Sequence, residues 1–579
     1  MNKLKLVFLN KNFTKIFFSF LFFYFLGLNI YQMYDQHWTA MLDQDLVIIY
    51  NSLLVSSGYE QEYRHHPAYS TFMLLGGIFK IFSLFFDNFS LQEVLNSNTM
   101  DKDFQKLFYI GRIINSIYLF LITFFIYKVL QELKISRSIT LLAISFSLFF
   151  ISFYELIFLI RSEVVSILMF LISFYFLLKF LNTNNIFNII FSGFFFCFSM
   201  LAKIQVIFLF LTVLIALPFL INYLSASDRF NDLIKNSKLL SLSRIVLVLF
   251  LILFVSIQTF LSKIFLANLN DPSFSLFYNE DFFLFVFFIL FYFSFIKILS
   301  KYYSLDVNQI IVSIGLIASG FVLCIIFVLL LDVINTIPFH KLNLIKLSNP
   351  IKFMTMHTFE MEGEHSIILT IKALFQAAAG NIEISAEFNE EYNPNILNID
   401  TKIFFRNLHL ILLFSLILLS SFVIRKRVLI YLSLVFFSGI LIYYLIFLLR
   451  ETIGYNIFLF PSYLIIFSIL LNNLDRKYLL VFSTTFFLVF TIENIYLSSI
   501  YKNVFNREPR VHLICGIDKW KNSENYVKDY NSQSYIKLVD DADLWIKAHA
   551  IKFYEIAHKY CIQLRDEEGS RERKFNINS

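Results

Sequence analysis

Charge is what this chain has least of. Only 16% of its 579 residues are Asp, Glu, Lys or Arg, while 58% are hydrophobic and 76 are Phe. Mean hydropathy is +0.69. Soluble domains carry about a quarter charged residues, so a water-soluble globular class is excluded. Glycine and proline are scarce too, 14 and 8 residues. With abundant Phe, Ile, Asn and Lys, that scarcity reads as the stamp of an AT-rich genome rather than of function. There are only four cysteines, with no CxxC and no zinc-ligand spacing. No P-loop and no GxSxG nucleophile pattern occurs. The net charge of +6 does not signal nucleic acid, because much of the Lys and Arg lies between apolar runs.

Those runs are what the chain has in quantity. Lipid admits only helices and closed barrels. Barrel strands are short and alternating, whereas these runs are long and unbroken, so the fold class is an all-α polytopic membrane protein. Taking about 17–25 apolar residues per span, the sequence predicts about thirteen transmembrane helices. They lie near 16–33, 108–131, 139–159, 164–181, 187–202, 204–223, 245–266, 282–299, 309–331, 407–424, 428–448, 455–472 and 478–498. The first follows Lys3, Lys5, Lys11 and Lys15 without a small-residue cleavage site, and reads as an uncleaved signal anchor.

Cytoplasmic loops concentrate Lys and Arg. With the N-terminus cytoplasmic, Lys134, Arg137, Arg244, Lys297, the 425–427 "RKR" and Lys477 all fall inside. Three long segments then lie outside: 34–107, 332–406 and the tail. The expected organisation is a transmembrane domain over 1–498 and a small external α-rich domain over 499–579, with the C-terminus external. Making 69–86 a span would put "RKR" outside, so that stretch reads as a helix lying in the interface. Cys197 and Cys324 fall within spans and read as packing residues. Cys515 and Cys561 share the external tail, where a disulfide between them is expected.

The first long external segment is unusually rich in ionisable groups: "LDQDLVIIYNSLLVSSGYEQEYRHHPAYSTF". An aspartate just before a helix is commonly a cap, and one suffices. Asp43 and Asp45 together can instead divide into a base and an electrostatic partner, or share a divalent metal with a further acid such as Glu163. Arg161 and Glu163 read by position as an interfacial ion pair, and Lys203 as a snorkelling lysine. His37 and Trp38 read as interfacial anchors, while Tyr50 and Asn51 pack the helix after the acid pair.

The order of these elements resembles the GT-C superfamily of membrane glycosyltransferases. That superfamily includes aminoarabinose lipid A transferases, protein O-mannosyltransferases and oligosaccharyltransferases. The acid pair is followed by a helix, Gly58, "HHPAY" and an apolar interfacial helix. Span two opens with Arg112 in "YIGRIINS", the next external loop carries Glu163 in "LIRSEVVS", and Lys203 ends the fifth span in "MLAKIQV". Arg450, Tyr455 and Pro461 follow in "LLRETIGYNIFLFPSY".

The resemblance covers roughly residues 1–500. It implies an enzyme that uses a polyprenyl-phosphate-linked sugar donor at the external face of a bacterial inner membrane. Lys203, Arg450 and Arg112 would meet the donor phosphate, His66 and Tyr455 would contact substrate, Asp43 or Asp45 would be the base, and Glu163 would orient that base or help hold a metal. Many relatives have adjacent Asp-Glu rather than Asp-Gln-Asp; spacing to Gly58 favours Asp43. Sugar and acceptor stay open. Competing readings are a lipid-linked glycan flippase and an O-antigen polymerase or ligase.

Overall fold

A backbone in hydrocarbon must satisfy its own polar groups, and the α-helix does so within one segment. The computed structural model describes residues 11–33, 38, 45–62, 68–97, 99–147, 156–157, 159–224, 237–256, 292, 294–298, 307–334, 337–340, 343–344, 347, 412–447, 457–475, 477–489 and 491. Asp43, His65, His66, Arg450, Tyr455, Cys515 and Cys561 lie outside the described residues, as do almost all of 332–406 beyond 347 and the whole tail. Among the described residues there is no strand.

The long helices are α1 (Lys11–Met33), α5 (Met100–Glu132), α7 (Ser162–Thr183), α8 (Ile186–Ala202), α9 (Ile207–Tyr223), α10 (Ser237–Ser256), α11 (Val307–Val333) and α13 (Arg427–Phe447). Shorter ones are α2 (Asp45–Ser56), α3 (Tyr69–Phe82), α4 (Leu91–Asn96), α6 (Arg137–Ser147), α12 (Leu412–Val423), α14 (Phe460–Leu471) and α15 (Lys477–Val489). Five helical stretches among the described residues are long and apolar enough to cross a membrane: Asn12–Tyr31, Lys102–Glu132, Ser162–Thr183, Ile204–Tyr223 and Val307–Val333. The chain is therefore an all-helical protein with membrane-spanning character; a count of thirteen goes further than these residues do.

Polar contacts gather the helix ends into two layers. In one, Arg137 Nε donates to Thr14 Oγ1 at 2.6 Å and Tyr223 Oη to Leu133 O at 2.9 Å. The Ser136 N–H donates to Asn472 Oδ1 and Arg244 Nη2 to Asn308 Oδ1 in the same layer. In the other, Asn29 near the end of α1 donates to Arg112 O early in α5, and Ser70 Oγ in α3 to Phe198 O near the end of α8. Helices α1 and α5 thus run in opposite directions, as do α7 and α8, whereas α10 and α11 run the same way. The turn between α7 and α8 is tight because Asn184 takes the left-handed φ of +59° at the helix C-terminus, a conformation Asn tolerates better than most.

The fifth and sixth apolar runs, separated in sequence only by Lys203, are two distinct helices. Lys203 is extended (φ −156°, ψ 121°) and a 3-10 turn, Ile204–Val206, follows. The chain folds back there, stacking Phe196 on Phe210 with centroids 3.5 Å apart.

Interhelix packing in lipid favours small residues that let backbones approach. A Cβ on Gly193 of α8 would overlap the Ile317 carbonyl of α11, and one on Gly320 of α11 would overlap the Ile190 carbonyl of α8. Gly27 in α1 has nothing within 4 Å of such a Cβ. Gly193→Ala should therefore destabilise the detergent-solubilised protein by about 1–3 kcal/mol, the usual cost of overpacking. Gly27→Ala should be neutral or mildly stabilising. Equal melting temperatures for the two variants would contradict this packing.

The 69–86 stretch contributes the 14-residue helix α3, which buries Tyr69, Phe72 and Phe79 against α2 and the bundle. Leu84, Phe85 and Phe86 just beyond it are exposed, an apolar tip consistent with an interfacial position. Trp38 is not an exposed anchor. It is fully buried, tilted on Phe104 with centroids 5.0 Å apart, and its backbone N–H donates to Gln105 Oε1.

Candidate functional site

Asp45 is the first residue of α2, where a cap was expected, yet its carboxylate reaches outward to other segments. Oδ2 accepts from Arg112 Nε and Nη2 at 3.2 and 3.0 Å, and Oδ1 accepts from the Ile160 N–H at 2.7 Å. Asp45 and Arg112 side chains are 0% and 2% exposed. Burial pushes the Asp45 carboxyl up from its ordinary range, and Arg112 and the Ile160 N–H pull against it. The Arg112 guanidinium also lies over the Phe108 ring at 5.4 Å. Its charge faces Asp45.

A second pair forms beside it. Lys203 Nζ lies 3.1 Å from Glu163 Oε1, with the side chains 2% and 0% exposed. Ser162 Oγ donates to Glu163 Oε2 at 3.3 Å. Lys203 therefore does not snorkel, and the local Arg161–Glu163 pairing expected from sequence gives way to one forty residues apart. Placing Lys203 at the reversal between α8 and α9 is what allows this: an extended residue at the helix end can aim its ammonium at the first turn of α7. Arg161, also buried, caps the start of α7 and acts electrostatically on both Asp45 and Glu163.

The structure thus brings together Asp45, Arg112, Arg161, Glu163 and Lys203 at one end of the bundle. Three cations there face two carboxylates among the described residues. Asn29 and Asn115, unremarked in the sequence, hold the backbone nearby. Their signal was an amide inside an otherwise apolar run, "LGLNIY" and "RIINSIY".

Helix α2 also organises the loop after Gly58, whose φ of +81° suits a residue without a Cβ. Tyr50 Oη donates to Glu62 Oε2 at 2.5 Å, and the Glu62 N–H donates to Asn51 Oδ1 at 2.9 Å. Both residues therefore pin the loop that leads towards "RHHPAY". The stretch after α11 docks on the same loop. Asn343 Nδ2 donates to Gln61 Oε1 at 3.3 Å, His340 lies 3.7 Å from Glu60, and Phe339 packs edge-on to Tyr69.

A divalent metal on Asp45 and Glu163 does not fit these donors. Both Asp45 oxygens already accept hydrogen bonds, and Glu163 faces Lys203. Among the described residues no group of three His, Cys, Asp or Glu is placed to hold a metal ion. Compared with known protein families, with curated proteins and with solved structures, the chain matches none.

Proposed function

We propose that this chain is a membrane glycosyltransferase of the GT-C kind, moving a sugar from a polyprenyl-phosphate donor to an acceptor at the membrane surface. The observation that carries the reading is the buried cluster of Arg112, Arg161 and Lys203 with Asp45 and Glu163, built from the ends of α2, α7 and α8 and from Arg112 within α5. Buried cations in low dielectric can meet an anion such as a lipid phosphate, and Lys203 at the end of α8 would meet it at headgroup depth.

In this reading Lys203 and Arg450 meet the donor phosphate, while Arg112 acts through Asp45. Asp43 takes the proton of an acceptor hydroxyl or amine. The acceptor atom bonds to the anomeric carbon as the bond from that carbon to the phosphate oxygen breaks. Polyprenyl phosphate leaves with the electron pair, its charge held by the cations, and the anomeric centre inverts. His66 and Tyr455 are assigned to substrate contact. The layer containing Arg137 and Arg244 faces the cytoplasm, the site faces outward, and the thirteen-span topology completes the fold.

A flippase or transporter would gather its ionisable groups near the bilayer midplane. Here Asp45, Glu163 and Lys203 lie at helix ends, which favours chemistry at the surface.

Lys203→Ala should weaken donor use by roughly ten- to a hundredfold, from about 1.5–3 kcal/mol for one charge-assisted contact. Lys203→Arg, which keeps the partner of Glu163, should retain more of it. Donor dependence unaltered in Lys203→Ala, measured as initial rate against donor concentration, would remove Lys203 from the phosphate site.

A further inference from the structure

Between α6 and α7 the backbone stops being helical: Leu159, Ile160 and Arg161 are irregular, with Arg161 at φ −134° and ψ 144°. Irregular backbone inside an apolar bundle leaves carbonyls and N–H groups without their helical partners, and each must find another. Here side chains from three other helices supply them. Asn115 Nδ2 donates to Leu156 O at 2.6 Å and to Leu159 O at 2.9 Å. Asn29 Nδ2 donates to Ile157 O at 2.8 Å, and Asp45 accepts the Ile160 N–H. The same Asn29 nitrogen lies within hydrogen-bonding distance of Arg112 O and Ser116 Oγ, its two hydrogens shared among the three acceptors, so it also fixes the turn of α5 that carries Arg112.

We propose that Asn29 and Asn115 are positioning residues for the site. Their buried amides hold the Leu156, Ile157 and Leu159 carbonyls, fixing the segment that delivers Arg161 and Glu163 beside Lys203. The break is built for that purpose, because a continuous helix would present residues 161 and 163 on different faces and leave Asp45 without the Ile160 N–H. This rests on the proposed function only for what the positioned groups do; the clamp itself is a statement about the fold.

Hydrogen–deuterium exchange on the full chain in nanodiscs tests the clamp without any substrate. Asn115→Ala should speed exchange across 156–163 by about tenfold, the size expected on losing two hydrogen bonds. Peptides of the opposite layer should be unaffected. Asn115→Ser is the milder variant should Ala fold poorly. Asn188→Ala, whose amide donates to Thr183 Oγ1 in the opposite layer, should leave 156–163 unaltered. Unchanged exchange there in both Asn29→Ala and Asn115→Ala would overturn the proposal, as would equal loosening of every helix. Sugar-transfer assays on the same variants keep the two readings apart. Faster local exchange in the variants, together with a wild-type protein that transfers no sugar, supports the clamp and sinks the glycosyltransferase reading. Unaltered exchange in an active enzyme does the reverse.

Discussion

Replacing Arg112 with Met should destabilise the folded protein by about 3–5 kcal/mol, as expected when one partner of a buried ion pair is removed and the other stays. Asp45 would keep its place at 0% exposure with only the Ile160 N–H as partner. Asp45→Asn should also lower folded yield, because the Arg112 guanidinium would then be buried opposite a neutral amide. Combining Arg112→Met with Asp45→Asn removes both charges and should recover much of the loss. Thermal unfolding in detergent, followed by size-exclusion, gives all three numbers. Should the double variant be as unstable as the sum of the singles, the two residues do not act as a pair.

The second large effect concerns the other aspartate. Both Asp45 oxygens are engaged, so under the proposed function it is Asp43 of the acid pair that is assigned the acceptor's proton. Asp43→Asn should reduce sugar transfer by about 10²–10⁴-fold, the range for losing a general base. Expression and melting temperature should be retained, since Asn keeps the size and still caps a helix. Asp45→Asn should show the opposite pattern, with less folded protein but appreciable activity per folded molecule. If transfer is lost through Asp45→Asn with folding intact, the two roles are exchanged.

Much of the fold was legible because apolar runs in lipid leave one structural solution. The run near 164–181 is α7, Ser162–Thr183, and the run near 309–331 is α11, Val307–Val333. The residue types of the site were legible as well, because ionisable groups at the ends of apolar runs are few. Their pairing was not. Glu163 has Arg161 two positions away yet meets Lys203, and Asp45 meets Arg112 from 67 residues along the chain. Proximity in sequence says nothing about which helix ends share a layer. Trp38 was misread for a related reason: amphipathic rings favour interfaces, but here a neighbouring helix covers the ring. The two clamp asparagines passed unnoticed because one amide in an apolar run reads as ordinary packing until the carbonyls it serves are known.

The most direct test of the central claim is a mass-spectrometric inventory of envelope lipids, polysaccharides and proteins from a strain lacking this chain. Wild-type, Asp43→Asn and Asn188→Ala forms would be returned to that strain at equal expression. The account predicts loss of one defined sugar from one acceptor, with its polyprenyl-phosphate form accumulating. Wild type and Asn188→Ala should restore the sugar, and Asp43→Asn should not. An unchanged inventory, or full restoration by an Asp43→Asn/Asp45→Asn double variant, would contradict it.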